Sequence, residues 1–224
     1  MENQIKLSEI EINKLFRFAE KKMVPWYDLQ IEIVDHLASS IEEEMHADSN
    51  LTFEFALEKV YNGFGIFGFA KIAQERQIQL AKMAKSRWWN EFLNLFMWPN
   101  AVLLVMIISL ITTVAYSVDY SILHELCLGI FIFMTTAYYI CIIKDSRLLK
   151  RLLVLQFGSN YFLVQYVFDF ILACGVLNIN QLSPIAFTIY LSLGVLIKLI
   201  SFKLYYKIRS EAKLLYPTVF LKQS

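Results

Sequence analysis

The sequence predicts an all-α protein: a small cytoplasmic helical domain followed by a four-helix transmembrane bundle. Three observations predict it. The chain of 224 residues is 57% hydrophobic with a mean hydropathy of +0.48, more apolar than an ordinary water-soluble domain of that length. The apolarity gathers in four segments, at about 99–118, 126–143, 152–177 and 183–206, each near the roughly 20 residues that a helix needs to cross a hydrocarbon core about 30 Å thick. The charges divide accordingly: residues 1–98 hold 11 Lys/Arg and 15 Asp/Glu, and residues 99–224 hold 10 and 5, an acidic head on a basic membrane part.

The basic residues also give the topology. The loops at 119–125 and 178–182 contain no Lys or Arg, whereas the loop between the second and third segments carries Lys144, Arg147, Lys150 and Arg151. The approach to the first segment has Lys82, Lys85 and Arg87, and the tail has Lys203, Lys207, Arg209, Lys213 and Lys222. By the positive-inside rule both termini are expected in the cytoplasm, with the protein spanning the cell membrane. The start, MENQIKLSEIEINK, is polar and lacks the apolar core of a secretory signal. Trp88, Trp89 and Trp98, Tyr116 and Tyr120, and Tyr205 and Tyr206 suit interfacial belts. Cys127, Cys141 and Cys174 fall in apolar segments without metal-ligand spacing and read as small hydrophobes.

Two ionisable residues fall inside the apolar segments, where charge is costly enough to be a functional candidate. Asp169 lies roughly 12 Å from the outer end of the third segment, and Lys198 roughly 22 Å from the outer end of the fourth, at 1.5 Å per residue. The Lys198 stem can reach the inner headgroups. Gln156, Ser159 and Asn160 share one face of the third segment, opposite Gln165 and Asp169. Both groups, with Thr188 and Ser192, suit hydrogen bonding between helices.

The cytoplasmic part, residues 1–65, reads as three helices. Ser8-x-x-Glu11 is a capping box opening a helix to about Met23. Pro25 suits the first turn of a second, Trp26 to Met45, whose apolar stripe is Leu29, Ile33, Leu37, Ile41 and Met45. Thr52 caps a third with Phe53, Ala56, Leu57 and Val60 inward. Residues 66–98 form a glycine turn and an amphipathic connecting helix, which covers the core, lies on the inner leaflet or runs into the first span; 99–206 hold the spans and 207–224 a basic cytoplasmic tail.

Gly63-x-Gly65-x-x-Gly68 has the spacing of a dinucleotide loop, but a helix precedes it, and Phe64, Ile66 and Phe67 would crowd a pyrophosphate. Gly63 is expected as a helix C-cap, with Gly65 and Gly68 as turn residues. Glu32 and His36, one turn apart near Asp35, lack the second histidine of a metal site on that face. Neither a nucleophile elbow nor a triad motif is present, so neither cofactor nor metal nor catalysis is expected.

The stretch Tyr27–Met45, YDLQIEIVDHLASSIEEEM, followed by LTFEFALEKV at 51–60 and Phe64-Gly65, resembles the HAAS helical signalling domain over about residues 25–80. This chain departs from that family at Ile66 and Phe67, where Asp-Pro is common, and in its longer first helix. The resemblance implies a membrane-associated partner of a PadR-type transcription regulator. It also extends to bacterial four-span proteins without an assigned activity, which implies the inner membrane of a bacterial cell.

The expected function is therefore a non-enzymatic signalling or interaction protein, with Asp28, Glu32, Asp35, Glu42 and Glu43 presenting a surface to a regulator or other cytoplasmic protein. The alternative is a small oligomeric transporter or channel using Asp169. An acidic head does not suit direct nucleic-acid binding, which needs clustered Lys/Arg, and the basic inner loop suits anionic lipid.

Overall fold

The computed structural model describes residues 6–65, 67–118, 120–159 and 184–221. Ten helices and no strand are present among them. The third apolar segment from residue 160 onward, with Asn160, Gln165, Asp169 and Cys174, lies outside the described residues. The chain forms two compact units. One comprises Met1–Leu80, Arg147–Val154 and Thr218–Ser224, and the other Ala81–Ser146 and Leu155–Pro217. The first unit thus adds two short stretches distant in sequence to the N-terminal helices.

In the first unit, α1 (Glu9–Lys21) opens on the expected capping box. Ser8 Oγ accepts from the Glu11 N–H, and the Glu11 carboxylate accepts from the Ser8 N–H at 2.8 Å. Two of the four N–H groups a helix start leaves unpaired are thereby addressed reciprocally. α2 (Tyr27–Ala47) starts one residue later than expected, with Pro25 before its N-cap Trp26. Gln30 Nε2 donates to Val24 O at 2.7 Å and braces this entry. Leu29, Ile33, Leu37 and Ile41 are buried, and Val34 joins them, while Met45 is only half-buried. α3 (Phe53–Gly63) has Thr52 at its N-cap, but the Thr52 side chain makes no capping hydrogen bond. α2 packs against both α1 and α3.

The glycine stretch turns the chain after α3. The C-cap is Phe64 rather than Gly63, which is the last helical residue. Gly65 (φ +71°) and Gly68 (φ +48°) take the left-handed conformations that a side chain disfavours. The turn seats Phe69, 1% exposed, against the rings of Tyr61 and Phe64 at 5.2 and 5.1 Å, in edge-on arrangements favoured by the ring quadrupoles. Gly68→Ala is expected to cost about 1–2 kcal/mol in thermal unfolding, since its Cβ would lie 2.8 Å from Tyr61 Oη. Gly63→Ala, in a helix with nothing within 4 Å, should instead gain about 0.5–1 kcal/mol.

α4 (Ala70–Asn94) buries Leu80 in the first unit, and its later residues belong to the second. There it is joined by α5 (Asn100–Ser117), α6 (Tyr120–Lys144) and α9 (Pro184–Leu215), with α9 packed on α5 and α6. α6 takes up most of the expected outer loop, starting at Tyr120 rather than 126, and α9 runs past 206 to Leu215. Within α9, Thr188–Leu215 is long and apolar enough to cross a membrane; Asn100–Val114 and Gly129–Lys144 are apolar but shorter. α6 and α9 approach closely where the Phe131 ring lies on the backbone of Gly194: a Cβ there would overlap Phe131 Cζ. Arg87 with Glu211 (2.9 Å) and Glu91 with Lys203 (2.6 Å) tie the end of α4 to α9.

The expected basic inner loop, 144–151, is mostly helical as α7 (Ser146–Arg151), and α8 (Leu153–Ser159) follows at the start of the third apolar segment. Leu148, Leu152 and Leu153 are buried in the first unit, as is Val219 of α10 (Pro217–Leu221). Arg147 and Lys150 stay exposed. The leucines among and after the basic residues thus pack on protein, and the basic side chains stay outward.

Candidate functional site

The candidate site of the first unit is the acidic side of α2, and the five carboxylates expected there have different situations. Asp28 is in the first turn of α2, where a carboxylate complements the helix dipole. Its Oδ1 and Oδ2 accept from the N–H groups of Leu153 and Val154, both at 2.9 Å. The residue before α8, Leu152, has no polar side chain to cap that helix, and Asp28 supplies the cap from 125 residues away. Burial pushes the Asp28 carboxyl above its ordinary value, against the downward pull of the two backbone N–H donors.

Two further carboxylates are also engaged internally. Glu32 lies 3.5 Å from Arg76 Nε of α4, both side chains more than a third exposed, a contact of little energetic worth. Glu42 Oε1 accepts from the Leu7 N–H at 2.9 Å and holds the chain start beside α2. Asp35 and Glu43 remain exposed, and His36 with them. The exposed carboxylates of α2 are therefore fewer than its acidic pattern implies.

Asp28→Ala is expected to cost about 1 kcal/mol and to raise hydrogen exchange at the Leu153 and Val154 amides. A raised native value means that the folded state holds the Asp28 proton more tightly than the unfolded one does. The contribution is complete below the ordinary carboxylate value and declines as pH rises through the raised value. The stability difference between wild type and Asp28→Asn should accordingly fall with rising pH over that interval.

In the second unit, Lys198 is fully buried on α9. Its Nζ donates to Thr135 Oγ1 at 2.6 Å and lies 5.0 Å from the Phe131 ring centre, a cation–π contact. This differs from the expected anchoring to inner headgroups: the ammonium meets a hydroxyl and a ring of α6 instead. Asp169 lies outside the described residues. Thr188 and Ser192 are buried one turn apart, with Ser192 Oγ donating to Thr188 O at 2.8 Å, so this bond stays within α9.

The sequence did not single out Asp145. It is 5% exposed, and its carboxylate accepts from Tyr205 Oη at 2.8 Å and from Arg209 Nε and Nη2 at 2.6 and 3.1 Å. The two-pronged Arg209 contact is the strong geometry for a carboxylate. Tyr205, expected in an interfacial belt, is buried by this network, whereas Tyr206 is exposed and lies 3.3 Å from Cys141 Sγ. A signal was present: Asp145 is the single acid in a basic loop, and Tyr205 and Arg209 are one helical turn apart. Among the described residues, no group of three or more His, Cys, Asp or Glu is placed to hold a metal.

Compared with protein-family models, curated proteins and solved structures, the chain gives no match.

Proposed function

We propose that the protein is a four-span inner-membrane protein with both termini cytoplasmic, whose first unit is an interaction module for a cytoplasmic regulator. The observation that carries this reading is the composition of that unit. Arg147–Val154 and Thr218–Ser224 join Met1–Leu80 in it, and these are stretches that the distribution of basic residues assigns to one side. The membrane reading is further supported by large apolar side chains turned outward, including Leu110 at 67% and Phe133 at 72% exposure, since extensive exposed apolar surface calls for a covering phase. A partner bound to the first unit would meet a body that includes Leu153 and Val154, the first residues of α8 and part of the third apolar segment.

The resemblance to the HAAS domain supports a PadR-type transcription regulator as that partner, and the exposed Asp35 and Glu43 supply its acidic contact. The test is in-cell crosslinking, detergent extraction and mass spectrometry of what is recovered, for wild type and for Asp35→Asn/Glu43→Gln. These positions are chosen because Asp28, Glu32 and Glu42 have internal roles. Recovery of a transcription regulator that falls at least tenfold in the variant is the expected result. Recovery of the protein alone would overturn the reading.

The burial of Lys198 within an apolar segment favours a second reading, an oligomeric transporter or channel. Asp169→Asn abolishing a flux measured in liposomes would put that reading first.

A further inference from the structure

Within the second unit, a cavity of about 200 Å³ opens where α4, α5 and α9 meet. One end is polar. Glu91 and Lys203 line it, paired at 2.6 Å, together with Asn94 and Asn100, whose Nδ2 donates to Asn94 O at 3.0 Å. The other end is aliphatic: Leu104 and Ile107 lie one and two turns beyond Asn100, and Leu196 two turns before Lys203. Seven residues of helix advance about 10 Å, so the lining passes from charged to aliphatic over the length of a lipid headgroup and the first part of a chain.

We propose that this cavity seats an aminophospholipid of the inner leaflet, headgroup inward and chains leaving over the half-exposed Ile107. The inference rests on the membrane reading above. Lys203, 65% exposed, can turn its ammonium to a phosphodiester without leaving α9, and the Asn carboxamides offer N–H donors beside it. Glu91, only 17% exposed, offers a carboxylate to a primary ammonium. A lipid with both charges satisfies both ends of the existing ion pair. Phosphatidylglycerol has no cation for Glu91, and the quaternary ammonium of phosphatidylcholine has no N–H to donate. At roughly 30 Å³ for a water-sized group, the cavity takes a phosphoethanolamine headgroup and excludes the body of the lipid.

The test begins with carbonate extraction of membranes, which decides the membrane reading by itself: release of the protein would overturn that reading and the lipid site with it. With the protein retained, purified wild type is exchanged into nanodiscs of phosphatidylethanolamine, phosphatidylglycerol or phosphatidylcholine and examined by native mass spectrometry after release. The expected result is a one-to-one phosphatidylethanolamine adduct retained at least tenfold more than either other lipid. Leu104→Trp, which fills the aliphatic end, should abolish it. Glu91→Gln should lower phosphatidylethanolamine retention about tenfold and leave phosphatidylglycerol unchanged, and this variant decides the matter if Leu104→Trp does not fold. Equal retention of the three lipids, or phosphatidylethanolamine retention unaltered by Glu91→Gln, would overturn the proposal.

Discussion

Arg209→Met is expected to destabilise the purified protein by about 3 kcal/mol, read from the midpoint of thermal unfolding in detergent. Removing the guanidinium leaves a nearly buried Asp145 carboxylate with the Tyr205 hydroxyl as its remaining donor in the described network. The value is at the low end of the usual range for a broken buried pair because Arg209 keeps 36% of its side chain exposed. The double variant Asp145→Leu/Arg209→Met should recover most of the loss, since neither charge then has to be desolvated. What remains is about 1 kcal/mol for the Tyr205 hydroxyl that loses its acceptor. Arg87→Met provides the contrast. Its partner Glu211 is 41% exposed, and the expected effect is below about 1 kcal/mol. Equal effects of Arg209→Met and Arg87→Met would show that water reaches Asp145 freely.

Leu152→Ala is expected to cost about 3 kcal/mol, within the roughly 2–5 kcal/mol range for emptying a buried leucine site. Leu152 is completely buried although it opens the third apolar segment, directly after a stretch rich in Lys and Arg. Limited proteolysis should show the loss as faster cleavage in the first unit. Lys150→Ala, two residues away and exposed, should stay within about 0.5 kcal/mol of wild type. A Leu152→Ala variant as stable as Lys150→Ala would mean that the leucine face of this loop meets lipid rather than the α-helical unit.

What was legible in the sequence was local. Ser8 and Glu11 are three residues apart, and the stripe from Leu29 to Ile41 repeats every four, so each signal is contained in a few turns of one helix. The placement of Pro25 and Gly63 was off by one residue, as helix ends usually are. The cap on α8 was not legible, because a lone Asp28 at the start of an acidic helix looks the same whether it faces water or an N–H 125 residues away. Asp145 was hidden by its neighbours: averaging the loop's charge conceals one acid among four bases. Asp35 and Glu43 kept the exposure that the pattern of α2 implied, while Glu32 and Glu42 found partners on α4 and at the chain start.

The first unit draws its core from three stretches far apart in the sequence, and this bears on the order of synthesis. Leu15, Leu29 and Phe69 leave the ribosome early, but Leu148, Leu152 and Leu153 follow only after two apolar segments, and Val219 later still. At about 5–20 residues per second, the interval between Leu80 and Val219 is roughly 7–28 s. During that time the N-terminal helices lack part of their packing, and Asp28 has no helix to cap until residue 154 has emerged. A fragment ending near Leu80 would preserve that unfinished state, so the proposed partner is best sought with a chain that includes Val219.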